Sequence, residues 1–320
     1  MSASAGATAL VALLASARVL AQASDLPPEV GYNYSDMETA RSGALGGAVR
    51  AVSSSIEALH SNPANLVAAR VYHLGGMAQF WPSANRQSYG AAVVDSVVSR
   101  SRLAGGLSVN WVFQDPDGLD RKALDGRFAL AFPVSDKLAL GGAVRYLDLN
   151  EDGYPRDRVL PPSAASSGLR RDTIAKDITF DAGLSLRPAD IVVLSVVGQN
   201  LTNPGHGFLP LLLGGGVGIG SRQYSAEVDV VADFTTYEDT KLRTMVGLEY
   251  LAGNNYPLRV GYRYDAGLKN HAISAGAGFV SREFSFDVGV RRLLGEYATT
   301  AIFVGLKYHV ESLGIAGPVE

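Results

Sequence analysis

Charged side chains recur at alternate positions along much of the sequence, with bulky apolar residues between them. Between Leu258 and Asp265, for example, Arg259 and Arg263 alternate with leucine, valine and tyrosine. Such a set fits two kinds of chemistry: ion pairing that holds packed elements together, or a ladder of charges that steers a substrate. The candidates for these roles, which would face the interior if the segments enclose one, are Arg127, Arg145, Asp181, Glu227, Asp229, Arg243, Glu249, Arg259, Arg263, Asp287 and Arg291. Asp233, Asp265 and Lys307 occupy the same alternate positions.

Catalytic chemistry has weaker support. The chain has 5 His and no Cys, which excludes a disulfide framework, a cysteine-ligated metal and a cysteine nucleophile. A serine hydrolase also needs a nucleophile placed beside a base, and no Gly-x-Ser-x-Gly signature places one. The acidic stretch with Asp148, Glu151 and Asp152 fits solvated loop charge better than a weak cation site. We therefore predict no enzyme activity, no cofactor and no resident metal.

Two further binding functions are disfavoured. The balance of 28 Lys plus Arg against 31 Asp plus Glu, without a basic run, leaves no footprint for nucleic acid. The run Gly214 to Gly220 would need to link a strand to a helix to cradle phosphate. We predict instead that this run is a glycine-rich strand.

The elements that carry the charges are predicted to be strands. Successive side chains point to opposite faces of a strand, so the alternation gives each segment one apolar and one wet face. Segments of about ten residues with this pattern are typical of transmembrane barrels. Fourteen strands are predicted, starting near Val71, Ser88, Leu103, Arg127, Lys137, Ile174, Ile191, Leu209, Tyr224, Lys241, Tyr256, Ala272, Glu283 and Thr299.

The connections between these segments alternate in length. Short turns such as Val134 to Lys137 and Gly253 to Asn255 are followed by longer polar stretches such as Gln114 to Leu124 and Asn150 to Thr173. Barrels of the bacterial outer membrane have short periplasmic turns and longer extracellular loops. A soluble β-sandwich would also alternate, but it does not predict two different rims.

The chain divides into four predicted regions. Residues 1–23 read as a signal peptide because an apolar stretch too short to span a bilayer is followed by Ala21-Gln22-Ala23. Residues 24–70 form an N-terminal extension and plug, 71–311 an antiparallel all-β barrel of about 14 strands, and 312–320 a C-terminal tail. The predicted location is the bacterial outer membrane.

The plug segment carries a distinct motif. Gly46 and Gly47 precede a short helix from Ser54 to Leu59, which the sequence Asn62, Pro63, Ala64, Asn65, Leu66 then stops. A glycine-rich stretch followed by Asn-Pro-Ala-x-Leu ahead of the first strand resembles the long-chain fatty-acid transporter (FadL) superfamily. The strand patterns Gly247 to Tyr250 and Leu258 to Arg263 look closest to its PorV/PorQ-like branch.

The resemblance implies two alternative functions. A FadL-like protein would pass small hydrophobic or amphipathic molecules across the outer membrane, with the plug as its gate. A PorV-like protein would transport nothing and would bind secreted proteins or partner subunits. A general diffusion porin fits less well, because a plugged barrel of this size leaves little open channel. The partners expected in every case are outer-membrane lipid and lipopolysaccharide.

Overall fold

The strands close into one ring. A computed structural model describes residues 37–97, 103–115, 120–152, 171–295 and 298–310. Within these ranges 14 antiparallel strands each pair with their sequence neighbours, and β1 pairs with β14 to complete the barrel. The strands are β1 Tyr72–Trp81, β2 Arg86–Asp95, β3 Ala104–Gln114, β4 Asp120–Pro133, β5 Leu138–Asp152, β6 Arg171–Ala189, β7 Val192–Gln199, β8 Leu212–Gly220, β9 Tyr224–Asp233, β10 Lys241–Ala252, β11 Tyr256–Asp265, β12 Asn270–Val280, β13 Phe284–Leu294 and β14 Thr300–His309.

Helical structure is confined to short pieces. Residues 37–70, named the plug from here on, hold α1 Ala40–Ala44, α2 Ser55–Ser61 and a 3-10 helix Pro63–Val67. Another 3-10 helix, Pro82–Ala84, joins β1 to β2. No helix of the described residues has the length and apolarity to cross a bilayer. The predicted signal peptide and tail lie outside the described residues, so those boundaries stay predictions.

The predicted faces of the strands are confirmed. Val260 is 53% exposed on the outside of β11, whereas its neighbour Arg259 is 6% exposed and points into the lumen. Large apolar side chains cover the outer surface all round the ring, including Phe128, Val196 and Leu306. A closed barrel with such an apolar belt spans a membrane, because no strand edge is left unpaired. The protein is therefore an outer-membrane β-barrel.

Some strand starts differ from those predicted. The strand β4 begins at Asp120, well before Arg127, and β5 runs on to Asp152, so the acidic residues predicted in a loop lie in a strand. Both strands extend past the apolar belt into the region where both faces can be polar, which hides the alternation. β8 begins at Leu212 because the predicted start, Leu209, turns into the lumen and is fully buried. The run Gly214 to Gly220 lies in β8, as predicted.

Candidate functional site: the plug and the lumen

The glycine pair of the plug makes a tight turn after α1. Gly46 and Gly47 have φ values of 68° and 90°, in the region that side chains disfavour. The Gly47 N–H donates to the Ser42 carbonyl at 2.9 Å, which closes the helix end. A β-carbon on Gly46 would also lie 2.8 Å from the backbone oxygen of Tyr262 in the wall. Both predicted glycines are thus required by backbone geometry, and Gly46 also by close packing.

Two wall carboxylates hold the chain that follows this turn. The Asp229 Oδ2 atom of β9 accepts the backbone N–H groups of Val49 and Arg50, each at 3.0 Å. Glu227, on the same strand face, accepts the N–H groups of Ala51 at 2.5 Å and Val52 at 2.8 Å. A carboxyl group can accept several hydrogen bonds, and each of these two accepts from two consecutive amides. Four consecutive plug amides are therefore fixed to one strand.

A chain of ion pairs fixes α1 to the wall. The guanidinium of Arg41 donates to both carboxylate oxygens of Glu249 at 3.0 Å, and Arg259 donates to the same carboxylate at 2.5 Å. Arg259 also donates to Asp287 at 2.6 Å. The four charges alternate in sign, so each has an opposite neighbour. This bidentate geometry is the strong form of an arginine and carboxylate pair.

Two glutamates of the plug pair with cations of the wall. Arg291 donates to both oxygens of Glu38 at 2.6 and 2.7 Å, and Arg263 lies 3.7 Å from the same carboxylate. Glu57 in α2 accepts from Lys307 Nζ at 2.6 Å. Burial alone would raise the pKa of Glu57, but attraction to Lys307 and Arg41 outweighs it and lowers that pKa to about 2. Glu57 therefore stays ionised in the lumen.

The Asn62 and Pro63 turn lies buried within the plug. Asn62 ends α2, and its side-chain oxygen accepts the Ala64 N–H at 3.1 Å. Its amide group donates to the Arg50 carbonyl at 3.1 Å, and Asn65 donates to the same oxygen at 2.8 Å. Ala64 and Leu66 are fully buried. These contacts join the two halves of the plug, so the motif organises the plug internally.

One buried cluster combines three wall charges with a plug histidine. Asp125 lies between Arg127 at 3.3 Å and Arg145 at 2.5 Å, and Arg127 donates to the backbone carbonyl of His60 at 3.1 Å. Burial, reinforced by the positive charge of Arg127, lowers the pKa of His60 to about 3. The imidazole is therefore neutral at physiological pH.

The remaining lumen candidates stay within the wall and its loops. Asp181 accepts the Asn200 N–H at 2.7 Å, and Arg243 donates to Asp265 at 2.9 Å. All the predicted lumen residues lie on inward positions of their strands. Within the described ranges, no three histidine or acidic side chains come close enough together to hold a metal ion. The arrangement is suited to holding a plug by ion pairs.

Several residues of the site escaped the sequence analysis. Glu38, Arg41, Arg50 and Glu57 lie in the plug, where no alternation marks the residues that face a partner. Asp125 has the same inward parity as Arg127. A β4 strand started at Asp120 would have included Asp125 among the candidates.

The wall is shaped to receive the plug. Inward positions of several strands are glycines, and a β-carbon there would overlap plug atoms. At Gly261 the overlap would be with the backbone of Leu45 and Gly46, and at Gly141 with that of Pro63 and Ala64. One polar cavity between plug and wall, lined by Glu38, Arg50 and His60 among others, has a volume of about 40 Å³. That is room for a water molecule, not for a hydrocarbon.

The lumen changes character at its outer end, beneath the long loops. Inward positions near the extracellular ends of β3 to β6 are apolar, and the loop after β7 adds Leu209. We name this the outer cluster: Met37, Val112, Ala123, Leu147, Leu149, Ala175 and Leu209. Met37 belongs to the plug and packs within this cluster, so the plug and the cluster are in direct contact. The interior of a diffusion porin is polar, and this end is not.

Comparison with known proteins identifies the fold. No protein-family model and no curated protein matches the sequence. The toluene transporter TbuX of Ralstonia pickettii matches with a TM-score of 0.61 and 14% identity over 85% of this chain and 98% of that chain. A FadL homologue of Pseudomonas aeruginosa gives 0.62 and 14% over 84% and 98%. The toluene transporter TodX of Pseudomonas putida gives 0.58 and 15% over 85% and 97%. The chain has the fold of FadL-type outer-membrane channels.

Proposed function

We propose that the protein passes small hydrophobic molecules from the cell surface across the outer membrane, with the plug as its gate. The outer cluster carries this proposal. Leu147, Leu149 and Leu209 are fully buried apolar side chains at the extracellular end of the lumen. Burial of apolar surface there is favourable by about 25 cal/mol per Å². A hydrophobic molecule that replaced Leu209 or Met37 in the cluster would gain the same contacts.

Beyond the outer cluster, the described residues of the plug and the wall pack closely against each other. Pockets for small organic molecules occupy about 300 to 1,000 Å³. The cavity bordered by Glu38, Arg50 and His60 has about 40 Å³, and another, beside Ala40 and Gly305, about 10 Å³. Passage through the lumen therefore requires the plug to move away from the wall. The toluene transporters TbuX and TodX have a similar fold, which makes hydrocarbons the first substrates to test.

A disulfide between plug and wall tests this requirement. A β-carbon at Gly305 would lie 3.4 Å from the Ala40 β-carbon, close to the separation that a disulfide needs. The chain contains no cysteine, so the pair would have no competing thiols. In Ala40→Cys/Gly305→Cys, we expect oxidation to stop uptake of radiolabelled toluene and reduction to restore it. Each single cysteine variant, treated in the same way, is the control.

The outcomes separate the parts of the proposal. Uptake that is unaffected by the disulfide would show that the plug is not the gate, although the barrel could still transport. Wild-type uptake no faster than that of a strain without the protein, for toluene and for a fluorescent fatty acid, would refute transport. The PorV-like alternative stays a prediction: it expects no uptake, together with secreted proteins that co-purify with the barrel.

A further inference from the structure

The lipid-facing wall carries a deep apolar groove near the periplasmic rim. The groove crosses β8 to β12 and has a volume of about 650 Å³. Its lining includes Ile219, Tyr224, Leu248, Leu258 and Val260, whose side chains are all on the outside of the barrel. The volume is that of a pocket for a small organic molecule.

Small residues make the depression. Ala226 on β9 lies in the groove between Tyr224 and the larger side chains of β8 and β10. Gly276 on β12 borders the groove at its far side, between the outward Ala275 and Ala277. In the strand register the outward row runs from Ala226 through Leu248 and Val260 to Ala275, so small side chains stand at its two ends and leave space above the backbone there. The differences in residue size at outward positions thus shape the groove.

The position of the groove determines what fills it. The groove lies in the apolar belt of a membrane barrel, so hydrocarbon chains cover it. Tyr224 and Tyr250 stack at the rim with ring centroids 6.1 Å apart, which is the placement of aromatic residues at a membrane interface. The adjoining turn, Ser221 to Gln223, exposes Arg222. A cation beside an aromatic rim and an apolar groove matches a lipid that has an anionic head and long acyl chains.

We propose that this groove binds one phospholipid of the inner leaflet, with an acyl chain in the groove and the phosphate beside Arg222. The binding is stronger than that of the surrounding bilayer lipid because the groove contacts the chain on several sides. The proposal is independent of transport, because none of the plug residues takes part. It makes phospholipid a specific ligand of the wall, in addition to its role as solvent.

The chain supplies matched controls for both parts of the site. The turn Ser281, Arg282, Glu283 has the same pattern as Ser221 to Gln223: in each, the serine hydroxyl accepts the N–H groups of the second and third residues after it. Arg282 therefore controls for Arg222. Ala91 is an exposed, outward alanine of β2 and controls for Ala226.

Native mass spectrometry of the detergent-purified barrel, titrated with dioleoyl-phosphatidylglycerol, tests the proposal. We expect wild type to retain one lipid more tightly than any others. Ala226→Phe should weaken that lipid about tenfold, because the ring displaces several methylene groups. Arg222→Gln should weaken it about fivefold, the loss of one basic contact. Ala91→Phe and Arg282→Gln should bind as wild type does, and heat-dependent gel migration should show that all variants are folded.

Three results would overturn the proposal. One is equal lipid retention by Arg222→Gln, Arg282→Gln and wild type, which would mean that the barrel binds lipid without a specific site at Arg222. Another is a dimer that Ala226→Phe abolishes, which would place a second copy of the chain in the groove. The third is lipopolysaccharide as the retained species. Because Arg222 lies in an exposed turn, its variant remains informative even where Ala226→Phe fails to assemble.

Discussion

Glu249 is the wall residue at which the role of ion pairs in holding the plug can be measured best. Its carboxylate binds Arg41 of the plug through two bonds of 3.0 Å and Arg259 of β11 through one of 2.5 Å. In Glu249→Gln, Arg259 would keep its 2.6 Å bond to Asp287. Arg41 would keep a 3.5 Å contact with the Val52 carbonyl. The substitution therefore removes the wall carboxylate that Arg41 bonds and leaves Arg259 its bond to Asp287.

The size of the effect follows from burial. Removing one partner of a buried pair costs about 3 to 5 kcal/mol. The side chains of Arg41 and Glu249 are 13% and 18% exposed, which favours the lower end. Glutamine also retains a neutral hydrogen bond of about 1 kcal/mol. We expect plug docking to lose about 2 to 3 kcal/mol, which raises the undocked fraction about 30- to 150-fold.

Thiol labelling reports the undocked fraction directly. The chain lacks cysteine, and Ser42 in α1 is 5% exposed, so Ser42→Cys reacts with a maleimide only when the plug leaves the wall. Labelling should be about 30- to 150-fold faster in Glu249→Gln than in the parent. Gel migration of unboiled samples should show that the barrel itself remains closed.

Asp265→Asn is the matched control. Asp265 bonds Arg243 at 2.9 Å with side chains 11% and 10% exposed, but this pair joins two wall strands. Its labelling rate should stay near that of the parent. If Glu249→Gln labels no faster than Asp265→Asn, ion pairing to the wall does not hold the plug, and close packing alone would have to explain docking.

Two further predictions use the same labelling assay. Gly261→Ala should undock the plug by about 1 to 3 kcal/mol through overpacking against Leu45, whereas Gly126→Ala, whose β-carbon meets open space, should label as the parent does. Acid should also loosen the plug. Burial lowers the pKa of His60 from 6.5 to about 3 in the docked plug, so the undocked plug binds more protons. Docking therefore weakens as the pH falls below 6.5. Glu57 adds to this loss only below its ordinary pKa of 4.5. Between pH 6.5 and 4.5, labelling normalised to an exposed Ser135→Cys should therefore accelerate more in the parent than in His60→Phe.

The barrel could be predicted from local sequence because its signal has a period of two residues. Arg259 and Val260 lie on opposite faces as the alternation requires. The prediction failed where a strand leaves the membrane. In β4 the residues from Asp120 to Gly126 include charges on both faces, so the alternation begins only near Arg127. Asp125, the partner of two arginines, was missed for that reason.

The pairing of charges could not be predicted in the same way. Arg41 and Glu249 are 208 residues apart, and nothing local marks one as the partner of the other. The sequence left open whether the lumen charges pair or steer a substrate. The ion pairs that Asp229, Glu249 and Arg291 form with the plug favour pairing for those residues. Glu227 instead accepts backbone N–H groups of the plug. A steering role remains a prediction for transport experiments.

The position of the plug also bears on how the barrel is assembled. β1 and β14 are the most distant strands in the chain, so joining them carries the greatest loop-closure cost. The plug touches both: Gln79 of β1 donates to the Glu38 carbonyl at 2.6 Å, and Lys307 of β14 donates to Glu57 at 2.6 Å. It therefore bridges the seam, and separating the first strand from the last would also require the plug to release at least one of them.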